Sequence, residues 1–188
     1  MVRPEGILET DVVGPTMIEL LRSRRSVRKY TAQPVAADQI ALLEEALLRA
    51  PSSRGRNPWQ FVFVTDPALL TELSRTKPHG SSFLGGATLA IVVCGDESVC
   101  DVWVEDCSIT AFIAHLAAHS LGLGSCWVQI RERPHKDQQS AEQFVQQLLR
   151  IPPQLRVAAI VGIGYPAEDK PGHGRDKLDG SKIHRDRY

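Results

Sequence analysis

From Cys107 to Ile130 the chain carries no Asp, Glu, Lys or Arg, and this stretch limits the folds open to it more than any other feature. A charge-free run of that length either spans a membrane or lies inside a core. His115, His119, two glycines and several hydroxyls interrupt it, and its second part has strand character, so a membrane span is not expected. The run reads as a buried helix followed by a buried strand. The helix is expected from near Val102 to Gly122, with Ile109, Phe112, Ile113 and Leu116 as an apolar stripe and Gly122 as the left-handed cap. The strand is expected over Cys126–Ile130.

A chain of 188 residues, 43% of them hydrophobic, can build one ordinary globular domain around this pair. Helices are expected over about Thr16–Arg24 and Ala36–Arg49, the second with Ile40, Leu43 and Leu47 on one face. Trp59–Val64 reads as a strand, and Asp66-Pro67 supplies the cap and first-turn proline of a helix to about Arg75. Leu89–Cys94 reads as a buried strand. Ser140 with Gln143 makes a capping box for a helix to about Leu149, and Arg156–Ile163 is a last apolar strand. From Ala167 to Tyr188 the composition turns polar and charged, which fits either a free tail or an arm laid on a partner surface.

Charge excludes some partners. Lys plus Arg number 22 and Asp plus Glu number 22, so nothing supports a general attraction to nucleic acid or to an anionic membrane. Any anion site must be local. Cys94, Cys100, Cys107 and Cys126 lack both paired zinc spacing and the density of a secreted scaffold, so they read as reduced, mostly buried thiols of a cytoplasmic protein. Pro4 and Glu5 stand where a signal peptide needs an unbroken apolar region.

The densest local charge is Arg22, Arg24, Arg25, Arg28 and Lys29, interrupted by Ser26 and without an acidic residue. Arginine forks match phosphate oxygens and a serine hydroxyl adds a neutral donor, although a solvated basic turn has the same composition. A second segment, Ala50-Pro-Ser-Ser-Arg-Gly-Arg-Asn-Pro-Trp-Gln60, offers hydroxyl, amide and backbone groups suited to the edge of a planar polar ring, or to an ordinary turn. A third, Gly122-Leu-Gly-Ser-Cys-Trp-Val-Gln-Ile130, leaves a helix for a strand, the reverse of the dinucleotide fingerprint. His115 and His119 have a metal-ligand spacing but no HExxH context, so no metal is expected and a satisfied or interface histidine pair is the simpler reading.

In this order, Arg24-Arg-Ser-Val-Arg-Lys-Tyr30, Ala50-Pro-Ser-Ser with Asn57-Pro-Trp59, Gly122-Leu-Gly-Ser-Cys-Trp127 and Gly162-Ile-Gly-Tyr-Pro166 resemble the nitroreductase family over nearly the whole chain. The resemblance implies an α+β, three-layer fold with a mainly antiparallel central sheet flanked by helices, and residues 167–188 as a C-terminal arm. It also implies a homodimer holding FMN at the subunit interface. Electrons would pass from NAD(P)H to nitroaromatics, quinones or similar small acceptors by a ping-pong mechanism, with no separate catalytic side chain. Carried over by position, Arg24, Ser26 and Arg28 match phosphate-binding positions, with Arg25 adding backbone or ribityl contacts. Pro51, Ser52 and Ser53 match the loop meeting the flavin ring. The family more often has Asn at the position of Gly55 and Gln at that of Asn57. Beyond Trp127, the backbone N–H groups of Val128, Gln129 and Ile130 fall where the family faces the flavin N5 edge. Arg175 and Lys177 resemble a basic pair that closes over the phosphate. A flavin-binding or flavin-degrading protein without nicotinamide turnover is the alternative function within this fold.

Overall fold

The computed structural model describes residues 14–188. The Pro4–Glu5 region lies outside them. Five helices and four strands alternate along the chain: α1 (Met17–Ser23), α2 (Ala37–Leu48), β1 (Trp59–Val64), α3 (Pro67–Leu73), β2 (Leu89–Asp96), α4 (Trp103–Ser120), β3 (Gly124–Gln129), α5 (Ala141–Leu149) and β4 (Leu155–Gly164). The strands form one sheet in the order β1-β2-β4-β3, and every neighbouring pair is antiparallel. The two central strands, β2 and β4, are apolar runs buried on both faces, which suits strands covered by helices on either side.

Side chains alternate across the pleat, so each central strand feeds two cores. Leu89, Ile91 and Val93 of β2 pack with Leu43 and Leu47 of α2 and with the inner face of α4. Ala90 and Val92 meet Leu70 and Leu73 of α3 and Ala141 and Val145 of α5 on the other side. This is the expected α+β three-layer arrangement. The register shifts by one residue after Val93, where Val93 pairs with Ala159 but Cys94 with Val157, leaving Ala158 as a bulge in β4.

Local signals placed most boundaries. Asp66 accepts a hydrogen bond from the Ala68 N–H at 2.8 Å, with Pro67 in the first turn. Ser140 and Gln143 form their capping box, and Gly122 at φ +76° turns the chain out of α4. One expectation needs correction. β3 begins at Gly124, two residues before the expected Cys126, because Gly124 is part of the sheet and not of the turn. The apolar stripe of α4 is divided: Leu116 is buried and Ile113 packs on the core, whereas Ile109 and Phe112 are each 43% exposed. The small residues Cys107, Ala111, Ala114 and Ala118 are fully buried and let the helix axis approach the sheet. All four cysteines are free and buried, and burial pushes the Cys94 and Cys107 thiols up to about 12. Among the described residues, no helix is long and apolar enough to cross a membrane.

Candidate functional site

After α1, residues 24–31 run as a strap along the open edge of β3. Ser26 bridges Ser125 in parallel fashion, the Val27 N–H donates to the Ser125 carbonyl at 3.0 Å, and the Thr31 N–H donates to the Tyr165 carbonyl at 2.9 Å. Gly124 makes this approach possible, since a Cβ there would stand 2.7 Å from a Val27 methyl. The strap sorts its basic residues. Arg24 donates through Nη1 to Nε2 of His115 on α4 at 2.9 Å, Arg25 donates to the Pro171 carbonyl, and Ser26 and Arg28 lie beside the Cys126 thiol. Burial raises that thiol's pKa, and the Arg28 charge only partly offsets the effect.

The basic run has no acid of its own, but the start of the tail brings one. Glu168 Oε1 accepts the Arg28 N–H at 2.6 Å and the Lys29 N–H at 3.2 Å and pairs with Lys170 at 2.7 Å. These bonds, the Arg28 amide first, hold its carboxyl down at about 2. The Arg28 and Lys29 backbone donors are therefore filled, and the side chains of Arg24, Ser26 and Arg28 are the strap's candidates for holding an anion. A cavity of about 190 Å3 lies alongside, lined by Arg25 and Lys170 and by the carboxylates of Glu168 and Asp169, with Ser23 and His119 also on its wall.

The segment after α2 is built for a fixed shape. Ser52 Oγ donates to Asn57 Oδ1 at 2.6 Å and accepts the Asn57 N–H at 2.9 Å, while Arg54, Gly55 and Asn57 all have positive φ. Gly55, at φ +63°, thus stands where the backbone disfavours a side chain. The Ser53 N–H donates at 2.9 Å to Oδ1 of Asp106, which is 3% exposed in the first turn of α4. This loop and the strap consequently sit at opposite ends of one helix, Asp106 and His115 being about 13 Å apart along its axis.

β3 also divides its predicted contacts. The Ser125 carbonyl points outward to the strap, and alternate residues of a ladder point the same way, so Trp127 and Gln129 direct their main-chain groups to the open edge. The Ile130 N–H instead donates to Ala158 at 3.2 Å, and Val128 and Ile130 are buried in the core, so the backbone donor at the edge is that of Gln129. The Trp127 indole donates to Gln129 Oε1 at 3.1 Å. Lys77, half-buried, has its pKa lowered by burial and then by the charge of Arg133. Neither cation forms an ion pair among the described residues, so together they make an electropositive place for an electron-rich group. Arg175 and Lys177 form an exposed 3-10 turn in which Lys177 meets Asp176 at 3.1 Å, away from the strap's own bonds. A wider groove of about 690 Å3, lined by Tyr30, Val35, Ile40, Leu70 and Thr88 among others, contains no charged side chain and none of the predicted site residues.

Sequence reasoning missed Asp106, Glu168, Lys77 and Arg133, and assigned no partner to His115 or Ser125. Glu168 had a signal, as the first acid after Gly162-Ile-Gly-Tyr-Pro166. Asp106 had none, because its role exists only where α4 passes the Ser53 loop.

An antiparallel sheet between two helical layers, edged by an arginine strap and approached by a fixed polar loop, defines an α+β protein with a candidate anion-binding edge. The nitroreductase family model matches residues 21–78 and 74–165, and the chain belongs to this family. It is similar to an FMN-dependent nitroreductase of Clostridium difficile R20291, whose solved structure superposes with a TM-score of 0.90 at 40% identity, over 92% of this chain and 100% of that one. A protein of Archaeoglobus fulgidus, provisionally named an NADH dehydrogenase/NAD(P)H nitroreductase, is 32% identical over 176 residues, 91% of this chain and 98% of its own. The FMN reductase [NAD(P)H] of Bacillus subtilis is 26% identical over 174 residues, 81% of this chain and 66% of its own.

Proposed function

We propose that the protein is an FMN-dependent NAD(P)H oxidoreductase, acting as a homodimer in the cytoplasm and passing electrons to quinones, nitroaromatics or similar small acceptors by a ping-pong mechanism. The observation that carries this reading is the strap: two guanidinium groups and a hydroxyl at one sheet edge, with no carboxylate paired to those guanidinium groups among the described residues. That donor set suits the single phosphate of FMN. The names of the C. difficile and B. subtilis relatives support the same cofactor.

Arg24, Ser26 and Arg28 hold the phosphate in this reading, with Arg175 and Lys177 of the tail closing over it. Pro51, Ser52, Ser53, Gly55 and Asn57 edge the ring, and the Gln129 N–H donates at its N5 side. Bound FMN supplies the hydride and electron chemistry. The chain's own contribution is position and charge: Lys77 and Arg133 favour an electron-rich ring, and fixed donors need no reorganisation when charge develops.

An exposed apolar face supports the dimer in this reading. Ile109 and Phe112 of α4 and Met17, Ile18 and Leu21 of α1 are all more than 40% exposed, an apolar face of the kind that marks an interface.

The purified protein should be yellow, release FMN and not FAD on denaturation, and oxidise NADH or NADPH when a quinone or nitroarene is supplied. FAD in the extract would overturn the phosphate assignment. Flavin binding without nicotinamide oxidation would identify a flavin-binding or flavin-degrading protein instead.

A further inference from the structure

Each ring of the α4 histidine pair has a specific partner. His119 Nε2 meets Ser23 Oγ at 2.8 Å, and His115, one turn earlier, joins three elements. Its Nε2 faces Arg24 Nη1 at 2.9 Å, and its Nδ1 faces the Ser125 hydroxyl at the start of β3. A guanidinium has donors only, so Nε2 must accept and the ring proton must sit on Nδ1, directed at Ser125. Ser125 Oγ in turn lies 3.4 Å from the His115 carbonyl, which takes its hydroxyl proton. Arg24 thus sets the tautomer, and the ring proton goes to Ser125 of β3, whose carbonyl receives the Val27 N–H of the strap.

The ring is neutral. It is 8% exposed, and burial, with the Arg24 charge second, lowers its pKa to about 4. A neutral acceptor differs from a carboxylate in this position: it fixes the direction of Arg24 without cancelling its charge, so the remaining N–H groups of the fork stay available to an anion. A glutamate here would orient Arg24 and neutralise it at once.

We infer that His115 is a positioning residue that orients the Arg24 guanidinium toward the phosphate of the flavin, with Ser125 anchoring the other edge of the His115 ring. This rests on the FMN reading above and assigns a residue outside the phosphate contacts themselves.

Asparagine and glutamine separate the two edges of the ring. His115→Asn places an amide where Nδ1 was, keeping a donor to Ser125 and losing the acceptor for Arg24. His115→Gln reaches the Nε2 position and keeps that acceptor. Apoprotein of each variant is titrated with FMN and with riboflavin, which lacks the phosphate. His115→Asn should weaken FMN about tenfold and riboflavin less than about twofold, whereas His115→Gln should stay within about threefold of wild type for both. Equal losses for both variants, or equal losses of FMN and riboflavin, overturn the role and leave His115 as packing. A second measurement needs no variant: 15N spectra of histidine-labelled wild-type apoprotein at neutral pH should show His115 protonated on Nδ1 alone. A ring protonated on Nε2, or on both nitrogens, overturns the inference. Wild-type protein that binds FMN no more tightly than riboflavin overturns the FMN reading itself, a result distinct from variants that fail to discriminate.

Discussion

The two ends of α4 hold two halves of the candidate site by opposite means. At the C-terminal end a neutral ring, His115, grips a cationic side chain, Arg24. At the N-terminal end an anionic side chain, Asp106, grips a neutral backbone N–H, that of Ser53. Each arrangement agrees with the helix dipole, which favours negative charge in the first turn and positive charge near the last. They teach different lessons about binding. The strap end keeps its charge unspent and can take an anion; the loop end spends its charge internally and presents hydroxyls and an amide suited to an uncharged ring edge.

The glycines at the two ends provide the strongest way to break this contrast. Gly124→Val should destabilise the protein by about 3 kcal/mol in chemical denaturation, since its side chain would overlap buried Val27 and lift the strap from β3. An unchanged denaturation midpoint would show that the strap is not docked as described.

Acid should weaken the strap end next. The folded pKa of His115, about 4, lies below the unfolded value of 6.5, so the unfolded chain binds more protons between these limits. The stability is fully present above about pH 6.5 and is lost as pH falls toward 4, by at most about 3 kcal/mol. Urea denaturation of wild type and His115→Gln across this window checks it, and parallel curves would remove His115 as the cause.

Ligand binding sharpens the contrast within the strap. Arg28→Ala should raise the FMN dissociation constant roughly 10- to 150-fold, the worth of a charge-assisted bond, and Arg22→Ala less than about threefold. Titrations at two salt concentrations separate a direct contact from screened attraction. Equal losses at both positions would mean that the run acts only as a basic patch.

The smallest effect belongs to the loop. Gly55→Ala meets no neighbour but must hold φ at +63°, so it should cost about 1 kcal/mol of stability and leave the riboflavin-to-FMN affinity ratio unchanged. A change in that ratio would place the loop at the phosphate and not at the ring.

Much of the fold was legible beforehand because it depends on neighbours in sequence. The Asp66-Pro67 cap, the Ser140–Gln143 box, Gly122 as the end of α4 and the apolar runs of β2 and β4 are local chemistry, and a sheet buried on both faces follows from such runs. The candidate phosphate and ring segments were likewise readable as short motifs in order. What local pattern left open was orientation. Ile109 and Phe112 were read as part of an apolar stripe, and apolar spacing shows which residues share a face, not what that face meets.

The sequence by itself determined the elements, their caps and the position of the basic run. Tertiary structure alone decided which of those arginines is oriented by His115, which backbone donors Glu168 fills, that Gln129 and not Ile130 presents its N–H at the sheet edge, and that Asp106 anchors the Ser53 loop. The reason is separation along the chain. Hydrogen bonds between residues fifty or more positions apart depend on how helices lie on the sheet, and side-chain periodicity carries no record of that.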